Sequence, residues 1–314
     1  LAAYQTTVGQ PAILRRARLL VEFAQRAIVR VEPDEYFVGS QKHQGRPWTP
    51  EVAAELQQLG YAGTTGHIVH DFETLIQLGV SGLKEKVEEA PKNTNLAGFM
   101  QALDAFTVYL QRHAEARPEL RVLTDRAPST FAEGLQLVWL AQCFLHAENP
   151  SAALSFGRLD QHLWPLLYAD VLAGRLTSQA AFDLVGAFLI KCCEGEESQN
   201  LVLGGVDETG ADASNPLSLI FLAAMKSLKT FQPSLTVRWH DEMDPDFAQA
   251  AAELASVGTG NPGFMNDPVV IAGLEMVGIP LGRARDWAIV GCYEACPDGD
   301  SYPNTVLARL NLVE

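Results

Sequence analysis

From Pro150 onward, short apolar runs alternate with helical stretches, and this alternation limits the fold more than any other feature of the chain. ALSF (153–156), NLVLGG (200–205), SLTVRW (234–239), GFMN (263–266) and WAIVG (287–291) read as buried strands, several ended by glycine. Helical patterns fill the gaps: Gln161 to Ala173, Thr177 to Cys193 and Asn215 to Leu228. Asp244-Pro245 and Asp267-Pro268 each give a helix-start signal, with Asp as N-cap and Pro in the first turn. Gly258 and Gly278 close those two helices. Strand–helix alternation of this kind predicts an α/β layer or barrel.

The residues before 150 read as mostly helical. Ala12 to Val29 places Ile13, Leu14, Ala17, Leu20, Ala24 and Ile28 near one face, and Asp71 to Glu88 repeats the pattern. Thr130 and Glu133 form a capping-box signature before the apolar run that ends near Leu145. No Pro/Gly/Ser-rich spacer divides the parts. We therefore expect one domain over 1–314, with a helical layer at 1–150 and a strand–helix region at 151–314.

Charge narrows the function. A net charge of −15 and the lack of a basic stripe argue against nucleic acid. Arg15, Arg16 and Arg18 form the best basic cluster and read as a solvated helix face. No apolar run approaches the roughly 20 residues of a membrane span, and LAAYQTTVGQ lacks the features of a signal peptide. The chain starts at Leu and ends inside an apolar pattern, so it reads as a piece of a longer protein. Five cysteines in no regular spacing suggest reduced thiols in a cytoplasm. Cys143, Cys192 and Cys193 lie in apolar helical stretches and read as structural.

Chemistry concentrates in VGCYEACPDGDSYPNT (290–305). Cys292 follows a buried run and a glycine, with Glu294 two residues later. On an extended chain these two would project to one side. Three uses of Cys292 compete. A nucleophilic thiolate needs a base or a positive field, whereas Glu294, Asp298 and Asp300 are acidic. A metal site would have only Cys292 and Cys296, with no His nearby. A protonated thiol that gives up a hydrogen atom tolerates acidic neighbours. A buried structural cysteine at a strand end is the plain alternative.

The segment from Pro233 to Gly299, with its Gly291-Cys292-x-Glu294 tetrad, strongly resembles glycyl radical enzymes of the pyruvate formate-lyase-like superfamily. VEPDEYFVGS (31–40), GHIVHDFETLIQLGVSGLKEKVEE (66–89), PSTFAEGLQLVWL (128–140), SFGRLDQHLWP (155–165) and NLVLGG (200–205) are similar to family segments in family order. The resemblance implies an α/β fold: the first half of a ten-stranded α/β barrel, preceded and wrapped by helices, ending in a cysteine finger loop. It implies Cys292 as the thiyl residue and Glu294 as the base of an anaerobic lyase or dehydratase acting on a small polar molecule. No cofactor is expected on this chain. The radical would sit on a glycine in a later Arg-Val-x-Gly-Tyr motif, which this sequence does not contain. A radical-SAM activating enzyme, with S-adenosylmethionine and an iron–sulfur cluster, would install it. A homodimer is implied as well.

A single Cys at the tip disfavours the acyl-transfer branch, which has two adjacent cysteines there. Ala152 and Ala153 occupy the places of a His-Ser pair in glycerol-type dehydratases, and Val306 that of an aspartate. Thr305 aligns with a threonine of the choline-lyase branch and is a candidate substrate contact. The stretch from Glu89 to Pro128 is shorter than usual. Arg158, Asp160 and Gln161 read as barrel-holding residues, His67 and Asp71 as helix-start residues, and Phe264, Trp239 and Trp287 as core. Two rival readings remain: a two-electron thiol enzyme using Cys292 and Cys296 as a redox pair, and a non-catalytic binding relative.

Overall fold

The computed structural model describes residues 1–29, 31–32, 34–41, 49–61, 67–148, 153–195 and 198–301. They form two compact units, Leu1–Gly63 with Thr74–Ser151, and Thr64–Glu73 with Ala152–Glu314.

The helices of the first part of the chain are α1 (Ala2–Thr6), α2 (Ala12–Arg26), α3 (Pro50–Gln58), α4 (Phe72–Glu89), α5 (Thr94–Ala116), α6 (Val122–Asp125) and α7 (Phe131–Glu148). α2 buries Ala17, Leu20 and Ala24, three of the residues that its 3.6 period places on one face. Phe23, Phe106, Tyr109 and Phe144 form one ring cluster between α2, α5 and α7. The basic cluster departs from the expected solvated face. Arg15 is buried, donates to the Tyr4 carbonyl at 3.0 Å and lies over the Tyr4 ring. Arg18 does pair in solvent with Glu22. α4 is not one straight helix either. Gly79 breaks it with φ +63, and a Cβ there would run into the Ala127 backbone. The Thr130 cap forms, accepting from Glu133 N–H at 3.2 Å. Glu133 itself reaches Ser129 N–H and Arg126 rather than closing the box.

The second unit is built on five parallel strands that follow chain order: β1 (Ile68–Val69), β2 (Leu154–Ser155), β3 (Asn200–Gly204), β4 (Ser234–Trp239) and β5 (Gly263–Asn266). A parallel bridge between Gly157 and Leu201 joins β2 to β3. The crossovers carry α8 (Leu159–His162), α9 (Trp164–Leu172), α10 (Ser178–Cys192), α11 (Pro216–Leu228) and α12 (Pro245–Ala255). Then α13 (Asp267–Met276) and α14 (Leu281–Arg285) lead to an antiparallel hairpin of β6 (Trp287–Val290) and β7 (Glu294–Pro297). β1 lies early in the sequence, yet it pairs with β2.

The strands show one face to the hairpin and the other to helices. Val69, Val202 and Met265 pack against Trp287, Ala288, Ile289, Val290 and Cys296. On the opposite face, Phe156 of the β2 segment meets Phe188 of α10. The hairpin is thus the filling of the sheet's inner face. That explains why β6 is a continuous apolar run, buried at all four residues. Trp287 is core, as expected, but Trp239 and Phe264 are not: they form an edge-to-face pair with both rings exposed.

The Asp-Pro signals behave differently from each other. Asp244 caps α12, accepting from Asp246 and Phe247 N–H at 2.8 and 3.1 Å. At α13 the cap is Asn266, one residue earlier, which accepts from Val269 N–H. Asp267 turns inward instead and is fully buried. It accepts from Arg238 Nε at 2.8 Å, Trp287 Nε1 at 2.5 Å and Val206 N–H at 3.1 Å. Arg238, equally buried, also donates to the carbonyls of Trp287 and Arg285. Burial lowers Arg238 to about 9, so it stays charged at neutral pH. Among the described residues no helix is long and apolar enough to cross a membrane.

Removing one member of a buried pair leaves the other charge uncompensated. Asp267→Ala should cost about 3–5 kcal/mol, measured as a fall in the urea unfolding midpoint. An unshifted midpoint would show that the pair contributes nothing to folding.

Candidate active site

The tip of the hairpin carries Cys292 and Glu294, the two residues expected to be catalytic. Gly291 turns the chain with φ +64, and Cys292 and Tyr293 form the exposed apex. Glu294 begins β7. The extended chain expected through Cys292 and Glu294 is therefore a tight turn. Its carboxylate folds back over the turn, and Glu294 Oε2 accepts from the backbone N–H of Cys292 and Tyr293 at 3.0 and 3.2 Å. Thiol and carboxylate share one tip, held together by the main chain.

The inner wall supplies neutral and basic partners. His67 Nδ1 lies 3.3 Å from Glu294 Oε1. This histidine is not a helix-start residue: it precedes β1, and α4 begins only at Phe72. Its sequence signal was the i, i+2 alternation with Val69, which shares the inner face. Gly291 fits against it, because a Cβ there would overlap the imidazole ring. Asn200 Nδ2 donates to the Cys292 carbonyl at 3.5 Å and to Thr236 Oγ1 at 3.1 Å. Ala153 is buried just before β2 and its carbonyl accepts from Ile68 N–H. Thr305, Val306 and Ala152 lie outside the described residues.

At its root the hairpin is gripped by charge. Asp298 N–H donates to the Asp286 carbonyl, closing the two ends at 2.8 Å. Arg158 donates through Nη1 to Asp286 and through its backbone N–H to Asp298 Oδ2. Its Nη2 reaches the carbonyls of Gly204 and Val206. Asp160 accepts from Gly204 N–H and Ser218 Oγ, and Gln161 donates to the Ala213 carbonyl. These three residues do hold the strands by hydrogen bonds, as their sequence reading proposed. Arg283 ties Asp286, Asp300 and the Asp298 carbonyl from outside. Burial pushes Asp298 up to about 8, with Asp286 and Asp71 adding repulsion. Burial drives His162, 3.4 Å away, down to about 4.

The two tip-strand cysteines differ in kind. Cys292 is an exposed free thiol and Cys296 is a buried one opposite Ala288. Burial, with Asp298, Asp300 and Glu294 nearby, pushes Cys296 up to about 12. A thiol so firmly protonated and enclosed suits a core position rather than half of a redox pair. Cys143 and Cys192 are buried too, and Cys193 is half-buried. Among the described residues no group of three or more His, Cys, Asp or Glu is set to hold a metal ion.

Residues 120–314 match the family model described as "Pyruvate formate lyase-like". The chain is 31% identical over 284 residues to "Probable dehydratase YbiW" of Escherichia coli K12, covering 74% of this chain and 35% of that protein. It is 26% identical over 290 residues to the (2S)-3-sulfopropanediol dehydratase of Klebsiella oxytoca, covering 77% and 35%. A solved structure described by 1,2-propanediol dehydration in Roseburia inulinivorans superposes with a TM-score of 0.81 at 23% identity, covering 95% of this chain and 51% of that one. The fold is thus part of the α/β barrel seen in such structures, a glycyl radical enzyme from Archaeoglobus fulgidus among them (TM-score 0.79, 22% identity, covering 97% of this chain and 54% of that one). The chain spans about a third of the length of these curated relatives and about half that of the solved structure.

Two measurements check the geometry. Iodoacetamide at pH 8 should alkylate Cys292 and leave Cys296 untouched, as read by peptide mass spectrometry. Equal labelling would place Cys296 outside the core. The second concerns the root. Asp298 is raised from 3.8 to about 8 in the fold, so its contribution to stability falls as pH rises from about 4 to about 8. His162 is lowered from 6.5 to about 4, so its contribution is lost as pH falls between those values. From pH 6.5 to 8 only the first effect of this pair operates. The urea midpoint should therefore drop across that window and stay nearly flat in Asp298→Asn. An unchanged slope in the variant would assign the drop to other groups.

Proposed function

The chain belongs to the pyruvate formate lyase-like family, and we propose that it forms the cysteine-bearing part of a glycyl radical lyase or dehydratase. The observation that carries this reading is the fingertip. An exposed free thiol and a carboxylate stand on one backbone-fixed turn, above a wall bearing His67. Family and geometry together support this reading for the longer protein that relatives of this length represent.

A hydrogen-atom acceptor arriving from outside the chain needs a reachable sulfur, and Cys292 at the exposed apex fits that need. When present, the glycyl radical of the family supplies the vacancy that takes the hydrogen atom from the Cys292 thiol. The residues in hand perform the rest. Cys292 sulfur takes a hydrogen atom from a substrate carbon, re-forming the S–H bond and leaving the unpaired electron on carbon. Glu294 accepts the proton of the hydroxyl on that carbon. The neighbouring group leaves with the electron pair of its bond, a carbonyl forms, and Cys292 returns a hydrogen atom to the remaining carbon radical. The backbone N–H groups of Cys292 and Tyr293 orient one oxygen of Glu294. His67 faces the other and can pass the proton on or hold the carboxylate in place.

In this reading Cys292 and Glu294 are the catalytic residues and Thr305 is a substrate contact. The exposed fingertip is the face that the rest of the barrel covers, excluding water and oxygen during the reaction. The five free cysteines suit a reducing, oxygen-poor cytoplasm. A small polar substrate, a radical-SAM activating enzyme and a second copy of the protein are the partners the family supports. The two-electron alternative has no comparable support, because Cys296 is buried away from the tip.

The test uses the full-length protein, activated without oxygen and screened against propane-1,2-diol, (2S)-3-sulfopropanediol and a library of small hydroxy, amino and sulfonate compounds. Glu294→Gln should keep the glycyl radical resonance and lose turnover by at least about a hundredfold, while Cys292→Ala should be inactive. Undiminished turnover in Glu294→Gln would remove Glu294 from the mechanism. A downstream sequence without the glycine motif would end the radical reading.

A further inference from the structure

One side chain on the inner wall has hydrogen-bonding capacity that the fold leaves unused. Asn200 opens β3 and is buried. Its backbone N–H reaches Ser155 Oγ at 3.4 Å, and its Nδ2 donates to Thr236 Oγ1 and to the Cys292 carbonyl. The fingertip dictates which way the amide faces. A carbonyl only accepts, so the nitrogen must point at it and Oδ1 must point elsewhere. That oxygen is shielded from solvent and has no hydrogen-bond partner among the described residues. Buried acceptors are nearly always satisfied, so an orphan on the side chain that holds the Cys292 carbonyl calls for a donor from outside these residues. The polar neighbours Ser155 and Thr236 are both neutral and buried. A neutral acceptor in such surroundings suits a hydroxyl donor better than an ion.

We propose that Asn200 is a substrate-positioning residue whose Oδ1 accepts a hydrogen bond from a substrate hydroxyl, while its Nδ2 holds the Cys292 carbonyl. One rigid amide then sets the substrate and the fingertip relative to each other, which is what a hydrogen-atom transfer over a short distance requires. The inference rests on the lyase reading and deepens it. The substrate carries a second hydroxyl besides the one that Glu294 deprotonates.

The experiment takes the full-length activated protein, the hydroxylated compound it turns over fastest, and the analogue of that compound lacking the second hydroxyl, used as a competitive inhibitor. Spin counts of the radical at the native level show that each variant is folded and activated. Asn200→Leu should raise KM about tenfold, the worth of one lost hydrogen bond, and lower kcat. Asn200→Ser, which keeps a donor and an acceptor, should recover part of both. The Ki of the deoxy analogue should stay within about twofold in every variant, since it never made the bond. An unchanged KM in Asn200→Leu, or a KM and Ki that rise together, overturns the assignment. If Cys292→Ala and Glu294→Gln are inactive while Asn200→Leu is unaffected, only this inference falls. If those two variants still turn over substrate, or the native protein acts on no compound, the lyase reading falls and this one with it.

Discussion

The buried pair of Arg238 and Asp267 is the contact on which the rest of the second unit depends. Neither group meets solvent, so each is tolerable only because the other is there. Together they tie β4, the first turn of α13, the loop after β3 and the start of β6. Four segments far apart in sequence thus meet at one charge pair. The Trp287 indole N–H and the Arg238 guanidinium, stacked over the Trp287 ring, both converge on that carboxylate. The hairpin enters the inner face at a position that hydrophobic packing alone would leave free to slide.

Polarity along the hairpin is arranged in three zones. Its root, at Asp286 and Asp298, is held by arginines and buried carboxyls. Its shaft, Trp287 to Val290 with Cys296, is apolar and packs on Val69, Val202 and Met265. At the tip the neutral amide of Asn200 donates to the Cys292 carbonyl, and the Glu294 carboxylate faces His67. Strong ionic contacts sit at the root, away from the proposed site of chemistry. Hydrogen-atom transfer moves no net charge, so a thiol doing that work gains little from a charged cradle and needs placement instead.

Sequence legibility followed the kind of force involved. Strands and helices were legible because Pro, Gly, Asp and Asn punctuate them locally: Asn215, Asp244 and Thr177 all cap the helices expected of them. The tetrad at 291–294 was legible because a family motif carries it. What was hidden are residues whose role is set by distant partners. Asp267 carries a cap signature, yet the Asn266 side chain can do that job and the buried guanidinium of Arg238 claims the carboxylate. Arg15 reads as a surface cation until the Tyr4 ring and carbonyl cover it. His67 lies in what looks like a helical stretch, and only the pairing of β1 with β2 brings it to the tip. Gly79 looks like any small residue on a helix face, but the Ala127 backbone leaves no room for a side chain.

The glycine of the Gly-Cys-x-Glu motif illustrates how the two kinds of information meet. A positive φ would justify a glycine at 291 on local grounds alone. The structure adds a second reason, because the space where its Cβ would lie is filled by the His67 imidazole. That imidazole is the group facing Glu294. The small residue before the cysteine therefore does two things at once. It lets the chain turn back, so that the main-chain N–H groups reach the Glu294 carboxylate. It also lets the opposite wall approach closely enough to place a ring nitrogen beside that carboxylate. Turn geometry and the environment of the proposed base are then a single constraint, and no larger residue at 291 satisfies either half of it.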